Sequence, residues 1–252
     1  MKNLLYEMSW TDAKEYFSKN DLAILPIGST EQHGPANPLG TDFLLAKAIA
    51  EETAKRTDVL SLPVIPFGVS PHHKQFWGTI FISAGTFKRY VREVCLSLRF
   101  HGVRKIVIVN GHGGNLAALK ELARSLREKR VFVTVFQWWP AAGKLLPELF
   151  TPEERGHAGA EETSMNLFLQ TGLVNMGKAV DTEPRKHELQ VEGLTLPLDT
   201  ADETVSGVYG KSTTASADKG RVVFETVVSE LARHVSMLKE ARIDDLTEKP
   251  KA

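Results

Sequence analysis

Cysteine is almost missing from this sequence: Cys95 is the only one in 252 residues. No disulfide can close within the chain, which suits a reducing compartment and predicts a cytoplasmic location. Cys95 shares the apolar stripe of an expected helix with Val91, Val94 and Leu98, so it reads as a small core residue and not as a nucleophile. An excess of charge is also missing, since Lys plus Arg and Asp plus Glu number 31 each. Nucleic acids and anionic membranes select for such an excess, so neither is expected as a partner. No apolar run approaches the length of a membrane span. The opening MKNLLYEMSWTDAKEY turns polar within a few residues, so no signal-peptide core is expected there. Internal repeats, low-complexity tracts and a convincing linker are absent too.

What is present is an ordinary globular composition, 42% hydrophobic and 25% charged. The length suffices for a substantial core. One domain over residues 1–252 is expected, with a frayed tail after about 241. Apolar runs predict strands at 22–27, 59–65, 105–109 and 131–136. Apolar periodicity predicts helices near 11–17, 41–52, 86–100, 115–130, 161–170 and 222–238. Strands that alternate with helices imply a three-layer α/β/α fold with a mainly parallel central sheet. Residues 180–219 are polar and turn-rich, with weak periodicity.

In parallel sheets, ligands bind at the carboxyl ends of strands. Three stretches at strand or helix ends carry chemistry there: STEQHGPANPLGTD at 29–42, NGHGGN at 110–115 and GHAGAEETS at 156–164. Each holds a histidine, and two also hold carboxylates. Charged groups are costly to bury unpaired. A metal ion would satisfy Glu31, His33 and Asp42 together. NGHGGN alone also suits a phosphate-binding turn or a plain strand-to-helix turn, although it lacks both GxGxxG spacing and the P-loop lysine. Taken together, the three clusters favour a metal site of imidazole and carboxylate, suited to zinc, manganese or iron. Carboxylates outnumber histidines and can bridge, which favours two ions.

In this order and spacing, GSTEQHGPANPLGTD, NGHGGN and HAGAEETS resemble the creatininase family of metal-dependent amidohydrolases. SPHHKQFWGTI resembles a loop of that family, with Trp77 in place of a proline, and GVYGKSTTASADKG resembles its late glycine-rich segment. The resemblance covers roughly residues 10 to 240. It implies a creatininase-like fold, a small-molecule substrate and a homo-oligomer, with a hexamer favoured. It also implies that Glu31, Asp42 and His112 hold one ion, and that His33, Asp42 and a further Glu hold the second. Creatininases carry that Glu two residues after the histidine matching His112, where this chain has Gly114. Relatives with GHGGN draw the last carboxylate from the ETS motif, here Glu162, while Glu161 is expected to point elsewhere. The departure counts against creatinine itself as substrate.

The chemistry expected is attack on an amide carbonyl by a hydroxide bridging the two ions. His157 is placed to protonate the leaving nitrogen, with a helix-capping or ligand-orienting role as the alternative. His73 and Trp138 are the substrate-binding candidates; Trp77, Trp138 and Trp139 are expected in loops where a single chain would leave them partly wet, a surface that subunit contacts would cover. The predicted function is hydrolysis of a C–N amide bond in a small cyclic or heterocyclic molecule. The alternatives are deformylation of a formylamino-pyrimidine nucleotide, for which Lys74, Arg155 and Lys211 are candidate cations, and a non-catalytic metal-binding module. His101, His187 and His234 read as structural.

Overall fold

The computed structural model describes residues 2–247. Its elements in chain order are α1 (Trp10–Lys19), β1 (Leu22–Ile27), α2 (Thr41–Thr57), β2 (Leu60–Ser61), α3 (Ala84–Phe100), β3 (Lys105–Asn110) and α4 (Leu116–Arg127). Then come β4 (Phe132–Gln137), α5 (Trp138–Ala141), α6 (Leu146–Leu149), α7 (Ala160–Leu169), α8 (Thr200–Glu203), α9 (Ala217–Glu240) and α10 (Ile243–Thr247). Ser9 opens α1 with a capping box shared with Asp12.

The four strands pair in parallel in the order β2-β1-β3-β4. Side chains alternate across the sheet as pleating requires. On one face Leu22, Ile24, Val107 and Val109 pack with α2, α7 and α9; on the other Ala23, Leu25, Ile106 and Ile108 pack with α3 and α4. Helices thus cover both faces, giving the three-layer α/β/α fold expected. The chain runs one way from β1 to β2 and the other way to β3. The crevice between the ends of β1 and β3 is therefore the topological switch point, where open α/β sheets bind ligands.

The sequence predicts a strand over residues 59–65, but only Leu60–Ser61 forms one. Pro63 has no N–H to donate, and Ile65 rejoins β1 through an isolated bridge to Ile27. The same truncation tolerates Pro26 inside β1. The Ile24 and Pro26 carbonyls both accept bonds from the β2 side, so the donor that Pro26 lacks faces the side where β2 has already ended. The short helices α5 and α6 lie where no periodicity is visible. Beyond residue 241, where fraying is expected, Ile243–Thr247 forms a helix and Arg130 pairs with Asp244; residues 248–252 lie outside the described residues. Among the described residues no helix is long and apolar enough to cross a membrane.

Candidate metal centre

Three segments meet at the switch point. The loop after β1 carries Glu31 and His33, the first turn of α2 carries Asp42, and the turn after β3 carries His112. Glycine makes the approach of α2 feasible: a Cβ at Gly28 would stand 2.3 Å from the Phe43 main-chain nitrogen, and one at Gly111 2.2 Å from the Asp42 main-chain oxygen. A fourth segment, the turn into α7, brings Glu162 to the same point. There the Ala158 N–H donates to Glu162 Oε2 at 2.6 Å.

All five side chains converge. His33 Nε2 lies 3.0 Å from Asp42 Oδ1 and 3.8 Å from Glu162 Oε2. His112 Nδ1 lies 3.1 Å from both Glu31 Oε2 and Asp42 Oδ2. The two oxygens of Asp42 thus face different imidazoles, as a bridging carboxylate requires. Three groups have ligand atoms all within 4.8 Å of one another: Glu31, Asp42 and His112; His33, Asp42 and Glu162; and Glu31, His33 and His157.

The chemistry of these donors fits a metal ion. His33 directs Nδ1 at the Glu31 carbonyl, 3.2 Å away, and His112 directs Nε2 at the Val69 carbonyl, 3.1 Å away. A carbonyl oxygen only accepts, so each ring carries its hydrogen on that nitrogen and turns a bare nitrogen toward carboxylates. A bare nitrogen facing a carboxylate is repulsive unless a cation or a proton lies between. Both carboxylate oxygens of Glu31, Asp42 Oδ2 and His33 Nε2 are buried without hydrogen-bond partners, although ionisable neighbours lie about a hydrogen-bond distance away. They are close but not aligned on one another, the disposition of donors that share a centre.

Electrostatics say the same. Burial pulls the His33 imidazole down, but Asp42, Glu162 and Glu31 outweigh it and hold it up at about 9. His112 is likewise raised despite burial, by Glu31 and Asp42. Burial pushes the Asp42 and Glu31 carboxyls up, yet the two imidazoles keep both below the usual carboxylate range. Protons on His33 and His112 here supply the positive charge that a metal would bring.

The remaining candidates fall around this centre. His157 stacks on His73 and lies tilted against His33, with ring centroids 4.4 Å apart in both pairs, and its Nδ1 stands 4.0 Å from Glu31 Oε1. It therefore borders the donors themselves, closer than a remote acid needs to be. Burial first, then His33 and His73, hold it well below the usual imidazole range. His73 lines the cavity but is buried, with Nε2 3.3 Å from Glu31 Oε1 and Nδ1 2.9 Å from Thr200 Oγ1, so its ring nitrogens serve the protein. His72, its half-buried neighbour, lines the same cavity and stacks on His112. Trp138 also lines the cavity but is only 1% exposed and packs in the core. The expectation that a single chain leaves it partly wet is wrong; α5 turns it inward.

Glu161 also lines the cavity instead of pointing elsewhere, although it joins none of the three donor groups. Its Oε1 accepts from Gly156 N–H at 3.2 Å, and burial pushes its carboxyl up to about 7. Gln32, Thr200 and Tyr209 belong to the surroundings of the site and were not distinguished in the sequence, where a lone Gln, Thr or Tyr carries no signal. The cavity encloses about 450 Å³, a size suited to a small molecule. Gly114 has a physical reason: a Cβ there would stand 2.2 Å from the Val69 oxygen and 2.5 Å from His112 Nε2. A side chain would break the bond that orients His112.

A family model described as "Creatininase: Creatinine amidohydrolase" matches residues 6–235. The chain is 29% identical to the creatinine amidohydrolase of Pseudomonas putida over 245 residues, covering 90% of this chain and 93% of that one. It is 30% identical to a mycofactocin precursor peptide peptidase of Mycobacterium tuberculosis, covering 91% and 90%. A solved structure described as "Creatininase Mn" superposes with a TM-score of 0.81 at 26% identity, covering 96% of this chain and all of that one.

Proposed function

The chain belongs to the creatininase family and is a metal-dependent amidohydrolase acting on C–N bonds; on that premise we propose that it cleaves a non-peptide amide bond of a small cyclic or heterocyclic substrate at two divalent ions. Glu31, Asp42 and His112 would hold one ion and His33, Asp42 and Glu162 the other, with Asp42 common to both sets. The observation that carries this reading is Asp42 itself, buried between two imidazoles that each direct a ring nitrogen at one of its oxygens.

Bound divalent ions would supply Lewis acidity and a water of lowered pKa. The chain's own residues do the rest. The carbonyl contacts of His33 and His112 fix both rings, so the donors are preorganised. His157 enters neutral and with its Nδ1 toward the centre. Nδ1 would accordingly accept the proton that the attacking water gives up and return it to the departing nitrogen, instead of arriving as an acid. Trp139 and Tyr209 line the cavity with aromatic surface, which suits a flat ring, whereas Trp138 backs it from the core.

Two competing readings are less well supported. Among the described residues no Lys or Arg lines the cavity, and Lys74 is already paired with Asp199 at 2.7 Å, so no cation there is set to receive the phosphate of a formylamino-pyrimidine nucleotide. A non-catalytic metal module would not need the cavity beside the donors. We further propose zinc, manganese or iron as the ion, a cytoplasmic location and a homo-oligomer, with a hexamer favoured by family resemblance. Trp77, 97% exposed, lies near the exposed Ile80 and Phe81 in sequence and supports a subunit contact.

The test is to strip the full chain with a chelator, reload it with zinc or manganese, and assay cyclic amides, formamides and short peptides in parallel. Metal-dependent turnover of a cyclic amide alone is expected. Turnover confined to formamides or to peptides would overturn the substrate assignment.

A further inference from the structure

Gln32 lies between two of the proposed ligands, is 4% exposed, and touches two histidines that flank Glu31. Its amide orientation is fixed by the backbone on both sides. Oε1 accepts from the Gly34 N–H at 2.9 Å, and Nε2 donates to the Gly207 carbonyl at 3.1 Å. One N–H is obligatorily a donor and one C=O obligatorily an acceptor, so the carboxamide cannot be reversed.

One amide hydrogen remains, and two ring nitrogens lie within reach of it: His73 Nδ1 at 3.0 Å and His157 Nε2 at 2.8 Å. The main chain decides between them. His157 Nε2 also stands 2.9 Å from the carbonyl oxygen of Gln32, which only accepts. That nitrogen must carry a hydrogen, so it cannot receive the one from the amide. The amide hydrogen goes to His73 Nδ1, which is therefore bare, and the proton of His73 sits on Nε2. Thr200 Oγ1, 2.9 Å from the same Nδ1, is free to donate as well.

We infer that Gln32 is a positioning residue: its main-chain carbonyl sets the tautomer of His157, and its carboxamide sets that of His73. Both rings then carry hydrogen on Nε2. His73 turns this N–H toward Glu31 Oε1, 3.3 Å away, an electrostatic contact and not an aligned hydrogen bond. His157 turns a bare Nδ1 toward the same oxygen from 4.0 Å. The two imidazoles present opposite polarity to one carboxylate: one steadies its charge, and the other leaves room for a cation or a proton. This inference deepens the proposed reaction and rests on Glu31 being a ligand. The tautomers themselves need neither metal nor substrate.

The test is a long-range proton–nitrogen correlation spectrum of the full chain labelled with 15N-histidine, metal-free and at neutral pH. His73 and His157 should both show the Nε2–H form. In Gln32→Glu an acceptor replaces the amide donor. His73 should then acquire a proton on Nδ1, whereas His157, held by the main chain, should keep its form. A wild-type spectrum with either ring protonated only on Nδ1 overturns the inference, even if the variant fails to fold. So does a folded variant with an unchanged His73 spectrum. A chain with the expected tautomers that cleaves no amide would remove the hydrolase reading and leave this one standing.

Discussion

The two sides of the centre are built differently. On the sheet side, Glu31, His33, Asp42 and His112 hang from the ends of β1 and β3 and the first turn of α2. Two glycines press that turn against the strands, and main-chain carbonyls hold both rings. On the other side, His157, Glu161 and Glu162 sit in the turn into α7. Carboxylates there accept from the N–H groups of Gly156 and Ala158, and Ala158 has a φ of 58°. Facing them are Thr200 and Tyr209, from a stretch with little regular structure. The sheet side is rigid because a buried parallel sheet fixes it. The turn side is held by local hydrogen bonds and by the packing of α7 in the core. We therefore place metal binding chiefly on the first side, and proton transfer and substrate fit on the second.

Asp42→Ala tests the sheet side and should have the largest effect. It removes both oxygens between His33 and His112 and leaves these buried imidazoles short of counter-charge. Activity should fall to background, both ions should be lost by elemental analysis, and the metal-free fold should weaken by about 3–5 kcal/mol, as for other broken buried pairs. Full occupancy of one ion would mean that Asp42 does not bridge. His157→Ala tests the turn side. The rate should drop roughly 10²–10⁴-fold, mainly in kcat, with metal content and fold retained. Substrates with better leaving groups should lose less. If the variant also loses a metal, His157 is a ligand and the division between the two sides fails.

Gly114→Ala probes the sheet side more gently. Its Cβ would push against the Val69 carbonyl that orients His112, so metal affinity should fall roughly 10–100-fold, measured by competition with a chelating dye. Smaller still is the pH effect on metal-free protein. The folded pKa of His33 is raised to about 9 by Asp42 against the pull of burial, and that of Glu162 is raised to about 7, chiefly by burial. A raised folded pKa means stability present below the unfolded value and lost as pH rises through the folded one. The Tm of chelator-treated protein should thus decline as pH rises toward about 9, while metal-loaded protein, with these protons displaced, should show a flatter profile. Identical profiles would mean that these groups do not bind the metal.

The same contrast explains what the sequence revealed. β1 is predicted to the residue and β3 to within one, because a strand buried on both faces writes a continuous apolar run. The sheet-side donors follow such runs directly, so Glu31, Asp42 and His112 stand out. Glu161 and Glu162 are adjacent on a helix start, and their spacing alone does not say which one reaches His33. The turn geometry decides it, and that depends on Ala158 adopting a left-handed backbone conformation, which alanine seldom signals. Trp138 misled for a related reason: a tryptophan after a strand reads as a loop residue, whereas α5 folds it into the core. Gln32 left no mark at all, because its role comes from contacts with residues 73, 157 and 207 that only the fold brings together.

The central claim is two ions bridged by Asp42, and anomalous diffraction from a manganese-loaded crystal tests it most directly. The account predicts two peaks about 3.5 Å apart, as in other two-metal sites, one among Glu31, Asp42 and His112 and the other among His33, Asp42 and Glu162. A single peak, or two peaks not joined by Asp42, would contradict it.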